Sequence, residues 1–317
     1  MIRGALLIAF AALLWATTSI VAKFLFAASN LQPLTLGLLR LVVALPFFWL
    51  LMKGELDRAS AASDTPKHLW PSLTWKGLLV LLSLGLFQAL YQGSYLMAVD
   101  MIGAGIATLI SLCLPPVLVA ILAAPLLGEK PRLVTVIALV AAIAGTVMLV
   151  ASDIETAGAL RLAGILTALL AAIVYTGFNM TSRYNSTGTP VFTTAFVCFL
   201  VAVLLLLPVV WLNGGFADLT SLGLKDWLMV FYIGVVPTCL GYVCFFTGMK
   251  TTPATLSSVI VTLEPLFVAL LAWLILGEIL GVIGIAGAIV LTLAVLVSCA
   301  ANSLTYRATE SLESKAR

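Results

Sequence analysis

The sequence predicts an all-α integral membrane protein, with ten transmembrane helices built from two inverted five-helix repeats around a central cavity. Of its 317 residues, 62% are hydrophobic and 9% are charged, with a mean hydropathy of +1.20, whereas soluble domains carry about 25% charged residues. The apolar residues fall in stretches of nearly membrane-spanning length. Two segments of the chain also match two later ones, which indicates a tandem repeat.

Ten apolar stretches approach the roughly 20 residues that a helix needs to cross a bilayer. They lack the alternation of strands in a membrane barrel, and backbone polar groups within lipid must be paired inside their own helix. Each stretch is therefore predicted to be a helix. In chain order they are Gly4 to Phe26, Pro33 to Met52, Trp75 to Val99, Gly103 to Leu127, Leu133 to Val150, Leu160 to Thr181, Val191 to Leu212, Lys225 to Met249, Ala254 to Leu276 and Ile279 to Ala300.

The connections between these stretches are mostly short. The exception is the polar segment from Lys53 to Thr74, which we expect to be a mobile surface loop. The first stretch could be taken for a signal peptide, but it has spanning length and no clean small-residue cleavage site follows it. We interpret it as the first span.

The distribution of basic residues predicts the orientation, because cytoplasmic loops are enriched in Lys and Arg. With the amino terminus inside, twelve of the sixteen Lys and Arg residues lie at inner ends of the predicted helices. Lys23, Arg161 and Lys225 stay at the outer side, and Arg40 lies within the second span. Both termini are therefore predicted to be cytoplasmic.

The internal repeat is clearest in the fourth and ninth spans. An offset of 149 residues places Pro116 on Pro265 and the Leu-Gly-Glu ending at Glu129 on the one ending at Glu278. Because five is odd, the second unit must be inverted, and inverted repeats are typical of secondary transporters with a midplane site. The predicted division is a first repeat of residues 1–152, a second repeat of residues 153–301 and a flexible cytoplasmic tail of residues 302–317.

Four segments carry a resemblance to a known family: LLWATTSIVAKF in the first span, LGLLRLVVA in the second, LPPVLVAILAAPLLGEK in the fourth and LEPLFVALLAWLILGE in the ninth. With them the chain resembles the EamA family of the drug/metabolite transporter (DMT) superfamily, ten-helix bacterial type, over nearly its whole length. The resemblance implies a carrier of the bacterial cytoplasmic (inner) membrane that transports small organic solutes, most often by exporting amino acids or other metabolites. The position of the first repeat that corresponds to Glu264 is Pro115. A carboxylate at this depth is therefore contributed by the second repeat alone.

Composition and motifs exclude several other classes of protein. The net charge of +3 comes without a basic cluster, so no nucleic acid partner is expected. The one histidine lies in the polar segment, and the five cysteines lie in apolar runs without metal-ligand spacing. We therefore expect no metal, no cofactor and no enzymatic activity.

Two charged residues are the first candidates for substrate binding. Glu264 lies near the centre of the ninth span, where an ionisable side chain is costly and commonly functional; it would contact a substrate amine or carry a proton, or else bridge to a neighbouring helix beside Pro265. Arg40, about a third of the way into the second span, would hold a substrate carboxylate through its planar fork, or else reach the outer headgroups.

Polar and aromatic residues supply the other candidates for substrate contact. Gln88, Tyr91, Gln92 and Tyr95 share one face of the third span, and because lipid would leave their amides unpaired, this face is predicted to line the cavity or to pack on another helix. The remaining candidates, for which core packing is the alternative, are Trp15, Tyr175, Asn179 and Tyr242.

Four residues are candidates for gates or hinges. Lys23 and Arg183 are related by the repeat and would lie near opposite mouths of the carrier, with anchoring at the membrane interface as the alternative. Pro116 and Pro265 are predicted to break the fourth and ninth spans at related depths.

These features predict a secondary-active transporter that exports a small metabolite, an amino acid or related zwitterion, by alternating access. An organic cation such as choline, or a drug, is the alternative because one acid among aromatic rings would suit it; a membrane enzyme or receptor is more distant. The expected partners are a small-molecule solute, the lipid bilayer and the proton as candidate coupling ion. The expected assembly is a monomer or a weak homodimer.

Overall fold

The computed structural model describes residues 2–29, 31–62, 75–102, 104–128, 133–150, 161–185, 190–276 and 282–297, with gaps at 291 and 295. All regular secondary structure in these ranges is helical, which confirms the predicted all-α class. The predicted tail and most of the polar segment lie outside the described residues.

Eleven α-helices and three shorter helical segments account for the named elements of the described ranges. In chain order they are α1 (Ile2–Ala28), α2 (Pro33–Ala62), α3 (Trp75–Ile102), α4 (Ala104–Leu127), α5 (Leu133–Val150), α6 (Arg161–Asn185), α7 (Val191–Leu212), a 3-10 helix (Ala217–Ser221), α8 (Leu224–Ile233), a π-helix (Gly234–Leu240), α9 (Gly241–Met249), α10 (Ala254–Val261), α11 (Leu263–Leu271) and a second π-helix (Ala272–Leu276). Residues 282–290 are also helical.

Seven helical segments of the described ranges are long and apolar enough to cross a membrane. The predicted eighth span combines α8, a π-helix and α9, and the predicted ninth combines α10, α11 and a π-helix. The predicted fourth, fifth and tenth spans coincide with α4, α5 and the helix at 282–290. The total of ten transmembrane helices stays a prediction.

Helix α2 extends beyond the predicted end of the second span, so the expected loop was wrong for its first residues. The helix continues past Met52 to Ala62, through Lys, Glu and Arg residues that favour helix. The Glu55 carboxylate faces the backbone N–H groups of residues 191–193. Because the first N–H groups of a helix lack partners within it, this carboxylate stabilises the start of α7 and holds the α2 extension in place.

The two halves of the chain interleave around α1 and α6. Helix α1 packs along α9 and α11, while its repeat counterpart α6 packs along α3 and α4. Helix α2 packs along its own counterpart, α7. The helix contacts are thus paired as a two-fold relation between the repeats requires, and both repeats contribute side chains to the same interior.

A π-helix interrupts the eighth predicted span just before Tyr242. Pro237 lies within it and has no N–H to donate, and the Thr238 hydroxyl donates to the Ile233 carbonyl over 2.7 Å. The extra residue per turn changes which side chains of α9 face the interior, and π-helical turns are frequent at functional sites.

Candidate functional site

A polar cavity of about 90 Å³ lies inside the helix bundle, large enough for several water molecules. Six helices contribute to its wall, three from each half of the chain. The lining residues are Trp15, Thr18 and Ser19 of α1, Arg40 of α2, Tyr91, Gln92 and Tyr95 of α3, Tyr175 of α6, Tyr242 of α9 and Glu264 of α11.

Helix α1 presents one face to the cavity, with Trp15, Thr18 and Ser19 at i, i+3 and i+4. The Trp15 ring lies 5.0 Å from the Tyr242 ring, centroid to centroid. Its indole Nε1 is buried and has no hydrogen-bond partner among the described residues. A donor in this position offers a hydrogen bond to a molecule that enters the site.

Helix α3 places three of its four predicted residues in the cavity wall: Tyr91, Gln92 and Tyr95. Tyr91 stacks on Tyr95 and on Tyr175, with ring centroids 5.6 Å and 4.9 Å apart. Gln88 lies one turn before Gln92 in α3, buried behind the wall, where its Nε2 donates to the Tyr242 hydroxyl over 3.0 Å. The polar face of α3 therefore points into the protein along its whole length.

Arg40 is held by Gln92 in the wall of the cavity. With the amide oriented so that its oxygen faces the guanidinium, Gln92 Oε1 accepts hydrogen bonds from Arg40 Nε at 2.9 Å and Nη2 at 2.6 Å. This orientation is the one that pairs donors with an acceptor. Gln92 is 3% exposed, so the amide fixes a cation that would otherwise be mobile.

Glu264 lies at the beginning of α11, where the ninth predicted span is interrupted. Helix α10 ends at Val261, Thr262 adopts φ −64° and ψ −5°, and α11 begins at Leu263. Pro265 removes one backbone donor here, and the positive end of a helix dipole favours a carboxylate in the first turn. Glu264 also interacts electrostatically with Arg40.

The break expected at Pro265 is therefore present, whereas the one expected at Pro116 was wrong. Helix α4 runs without interruption from Ala104 to Leu127 through Pro115 and Pro116. The two repeats differ at this depth, as the replacement of a glutamate by Pro115 suggests. A hinge role for either proline stays a prediction.

Three other candidates lie away from the cavity wall. Asn179 is buried one turn beyond Tyr175, and its Nδ2 donates to the Tyr175 carbonyl over 3.0 Å. Arg183 Nη1 donates to the carbonyls of Met249 at 2.8 Å and Lys250 at 3.4 Å, so it closes the carboxyl-terminal end of α9. Lys23 is exposed towards the end of α1.

Thr18 and Ser19 are the lining residues that the sequence analysis did not select. Both hydroxyls lie within one turn of Trp15. Their spacing from Trp15 was the available signal, because a residue at i+3 or i+4 shares the face of residue i. Because Thr17, Thr18 and Ser19 are consecutive, the presence of hydroxyl groups alone does not show which of them faces the interior.

The fold and the site together define a multi-pass membrane protein. Its helices are long enough to cross a membrane, come from two interleaved halves of the chain and pack around a polar interior cavity. Its sequence matches the model of the EamA-like transporter family twice, over residues 2–151 and 162–300. The chain belongs to the EamA-like transporter family, which confirms the predicted resemblance and its tandem of two repeats.

Similar proteins carry the same general description. The chain is 29% identical over 296 residues to "Uncharacterized transporter YwfM" of Bacillus subtilis (strain 168), covering 93% of each chain. It is 30% identical over 182 residues to an "Uncharacterized transporter" of Clostridium kluyveri, covering 56% of this chain and 58% of that one. A solved crystal structure shares the fold with a TM-score of 0.72 at 20% identity, over 93% of this chain and 96% of that chain. The protein is a membrane transporter.

Proposed function

We propose that this transporter is a secondary-active exporter of small zwitterionic metabolites, amino acids or close relatives, in the bacterial cytoplasmic membrane. The observation that carries the proposal is that Arg40 from the first repeat and Glu264 from the second line one cavity. A zwitterion presents a carboxylate and an ammonium group, which complement this pair of charges.

The contacts of Arg40 favour a carboxylate ligand. Two of the five N–H groups of its guanidinium donate to Gln92, which leaves the others for a ligand. The remaining donors suit the oxygens of a carboxylate, and so does the indole N–H of Trp15, which has no partner among the described residues. Glu264 and the tyrosine rings would then receive the ammonium group and the side chain.

The size of the cavity also favours a small solute. A volume of about 90 Å³ is well below the roughly 300–1,000 Å³ of sites that hold drug-sized ligands. A compact amino acid therefore needs less opening of the helices than a drug does.

Alternating access is the mechanism that we propose, with both termini in the cytoplasm and no enzymatic reaction. The paired helix contacts of the two repeats support rocking of one half against the other around the cavity. Glu264 is the candidate proton carrier, because it is the acidic residue among those that line the cavity. The family resemblance supports export as the direction, and the positive-inside distribution supports the orientation.

The proposal is tested by counterflow in proteoliposomes. Vesicles preloaded with unlabelled alanine, leucine, threonine or phenylalanine are expected to accumulate the labelled counterpart, and vesicles preloaded with choline or tetraphenylphosphonium are not. Glu264→Gln and Arg40→Gln should each abolish exchange while the thermal melt stays cooperative. Exchange of amino acids that survives both substitutions would show that the charge pair does not bind them.

An organic cation is the second candidate, favoured by the aromatic rings around Glu264. The ring centroids of Trp15 and Tyr242 lie 5.0 Å apart, and those of Tyr91 and Tyr175 lie 4.9 Å apart. Aromatic rings stabilise a cation that lies over their faces. The same vesicles separate the two candidates. A cation carrier exchanges choline or tetraphenylphosphonium and retains this activity in Arg40→Gln, because removing a positive charge does not weaken the binding of a cation.

A further inference from the structure

Helix α6 carries a line of buried polar side chains that begins at the cavity. Tyr175 lines the cavity, and Asn179 and Ser182 follow at i+4 and i+7 on the same face. They are 1% and 3% exposed. Asn179 Oδ1 and Ser182 Oγ have no hydrogen-bond partner among the described residues.

A second line of buried polar side chains leads away from Glu264 along α10. Ser258 is 3% exposed and Thr252, just before the helix, is fully buried. Both hydroxyls lack a hydrogen-bond partner in the described part of the chain. Ala254 packs with Val119 of α4 and Met180 of α6, and Ser258 lies one turn nearer the cavity on the same face.

The two lines converge at the end of the bundle where α1 begins. Arg183, next to Ser182, binds the carbonyls of Met249 and Lys250, and Thr252 lies two residues after Lys250 in the chain. A side chain at Gly4 of α1 would collide with the hydroxyl of Thr252 and the carbonyl of Gly248. Helix α1 therefore packs tightly against the connection between α9 and α10 at this end.

The unpaired atoms need a physical explanation, because a buried polar group without a partner destabilises the structure that contains it. Of the seven such side-chain atoms in the described residues, four belong to these two lines. The free-energy cost of burying these atoms is offset if water or solute forms hydrogen bonds with them in another conformation. Arg183 and Glu55 serve helix termini at this end, whereas the four oxygen atoms of the two lines that lack a partner among the described residues are available to a passing molecule.

We infer that Asn179, Ser182, Thr252 and Ser258 line the second half of the transport route, from the cavity to the end of the bundle where α1 begins, and that this half is closed in the present conformation. The inference rests on the proposed alternating access and extends it to residues outside the cavity. An uncharged lining of hydroxyl and amide groups suits a small polar solute whose net charge is zero.

Accessibility of introduced cysteines tests this route. The test variants are Ser182→Cys and Ser258→Cys, which are nearly isosteric with the native side chains. The matched control is Ala195→Cys. Ala195 is fully buried in the second turn of α7, the helix that follows α6 in the chain. Each variant is reconstituted into proteoliposomes and treated with a membrane-impermeant maleimide on both sides, and modification at the introduced cysteine is followed by peptide mass spectrometry. The native cysteines then need no replacement.

We expect both serine positions to react faster than Ala195→Cys by about tenfold or more, since only they become wet when the route opens. Equal rates at all three positions in vesicles that exchange amino acids would overturn the route and leave the proposed function standing. Fast reaction at the serine positions without amino acid exchange would support the route and overturn the proposed substrate. Should one variant fail to reach the membrane, the other and Asn179→Cys carry the test.

Discussion

Gln88 of α3 and Tyr242 of α9 are joined by a hydrogen bond that links the two repeats directly behind the cavity. Gln88 Nε2 donates to the Tyr242 hydroxyl over 3.0 Å, and the two residues are 1% and 4% exposed. Tyr242 lines the cavity whereas Gln88 does not. Gln88, predicted to contact the substrate, is thus placed to position a residue of the cavity wall.

Replacing Gln88 by leucine should weaken exchange and stability together. The Tyr242 hydroxyl would be left buried without its partner, at a cost of about 1–3 kcal/mol, and its ring would lose its position in the wall. We expect a lower Tm and a higher KM for counterflow. The double variant Gln88→Leu with Tyr242→Phe removes both polar groups and should recover most of the Tm but not the KM. An unchanged KM in the single variant would show that the bond is purely structural.

Adding a methyl group at Gly241 should disturb the cavity through Trp15. A Cβ there would lie 2.9 Å from Trp15 Nε1 and 3.2 Å from Cδ1, so the indole must move, and crowding of this kind costs about 1–3 kcal/mol. We expect Gly241→Ala to lower Tm and raise KM. Gly93→Ala is the control, because a Cβ at that position meets nothing within 4 Å. Equal KM values for the two variants would mean that the site tolerates displacement of Trp15.

Arg183 should prove to be a structural residue. Its Nη1 donates to the Met249 carbonyl over 2.8 Å, and hydrogen bonds to charged groups stabilise proteins by about 1.5–3 kcal/mol. Arg183→Gln is expected to lower Tm while exchange per folded molecule is retained, as measured by counterflow normalised to the monodisperse fraction. The opposite result, lost exchange at an unchanged Tm, would support the gate that its sequence position suggested.

Removing the Ser258 hydroxyl, which has no partner in the described ranges, should stabilise the closed conformation. Ser258→Ala relieves a buried unsatisfied group, worth about 1–3 kcal/mol, so Tm should rise and exchange should slow. The adjacent Ser257→Ala is the control, since that hydroxyl donates to the Pro253 carbonyl over 2.9 Å and its loss should not raise Tm. A lower Tm in Ser258→Ala would indicate that the hydroxyl forms a hydrogen bond when the protein is in the membrane.

Much of the fold followed from local sequence, and the errors have physical causes. Long apolar runs specify helices because no other conformation satisfies the backbone inside lipid. The α2 extension was missed because Glu55 stabilises it through the start of α7, a contact 136 positions away in the chain (191 minus 55). Pro116 was expected to break α4, but the helix is uninterrupted, and α6 and α10 pack against it.

The sequence by itself determined the helical class, the family and the face on which Tyr91, Gln92 and Tyr95 lie, because hydrophobicity and the period of a helix are local properties. Only the tertiary structure decided that Arg40 and Glu264 line one cavity, that Gln92 holds Arg40, and that Arg183 closes the end of α9. These outcomes depend on how helices far apart in the chain pack, since packing selects which inward-facing side chains meet and which are left to bind a solute.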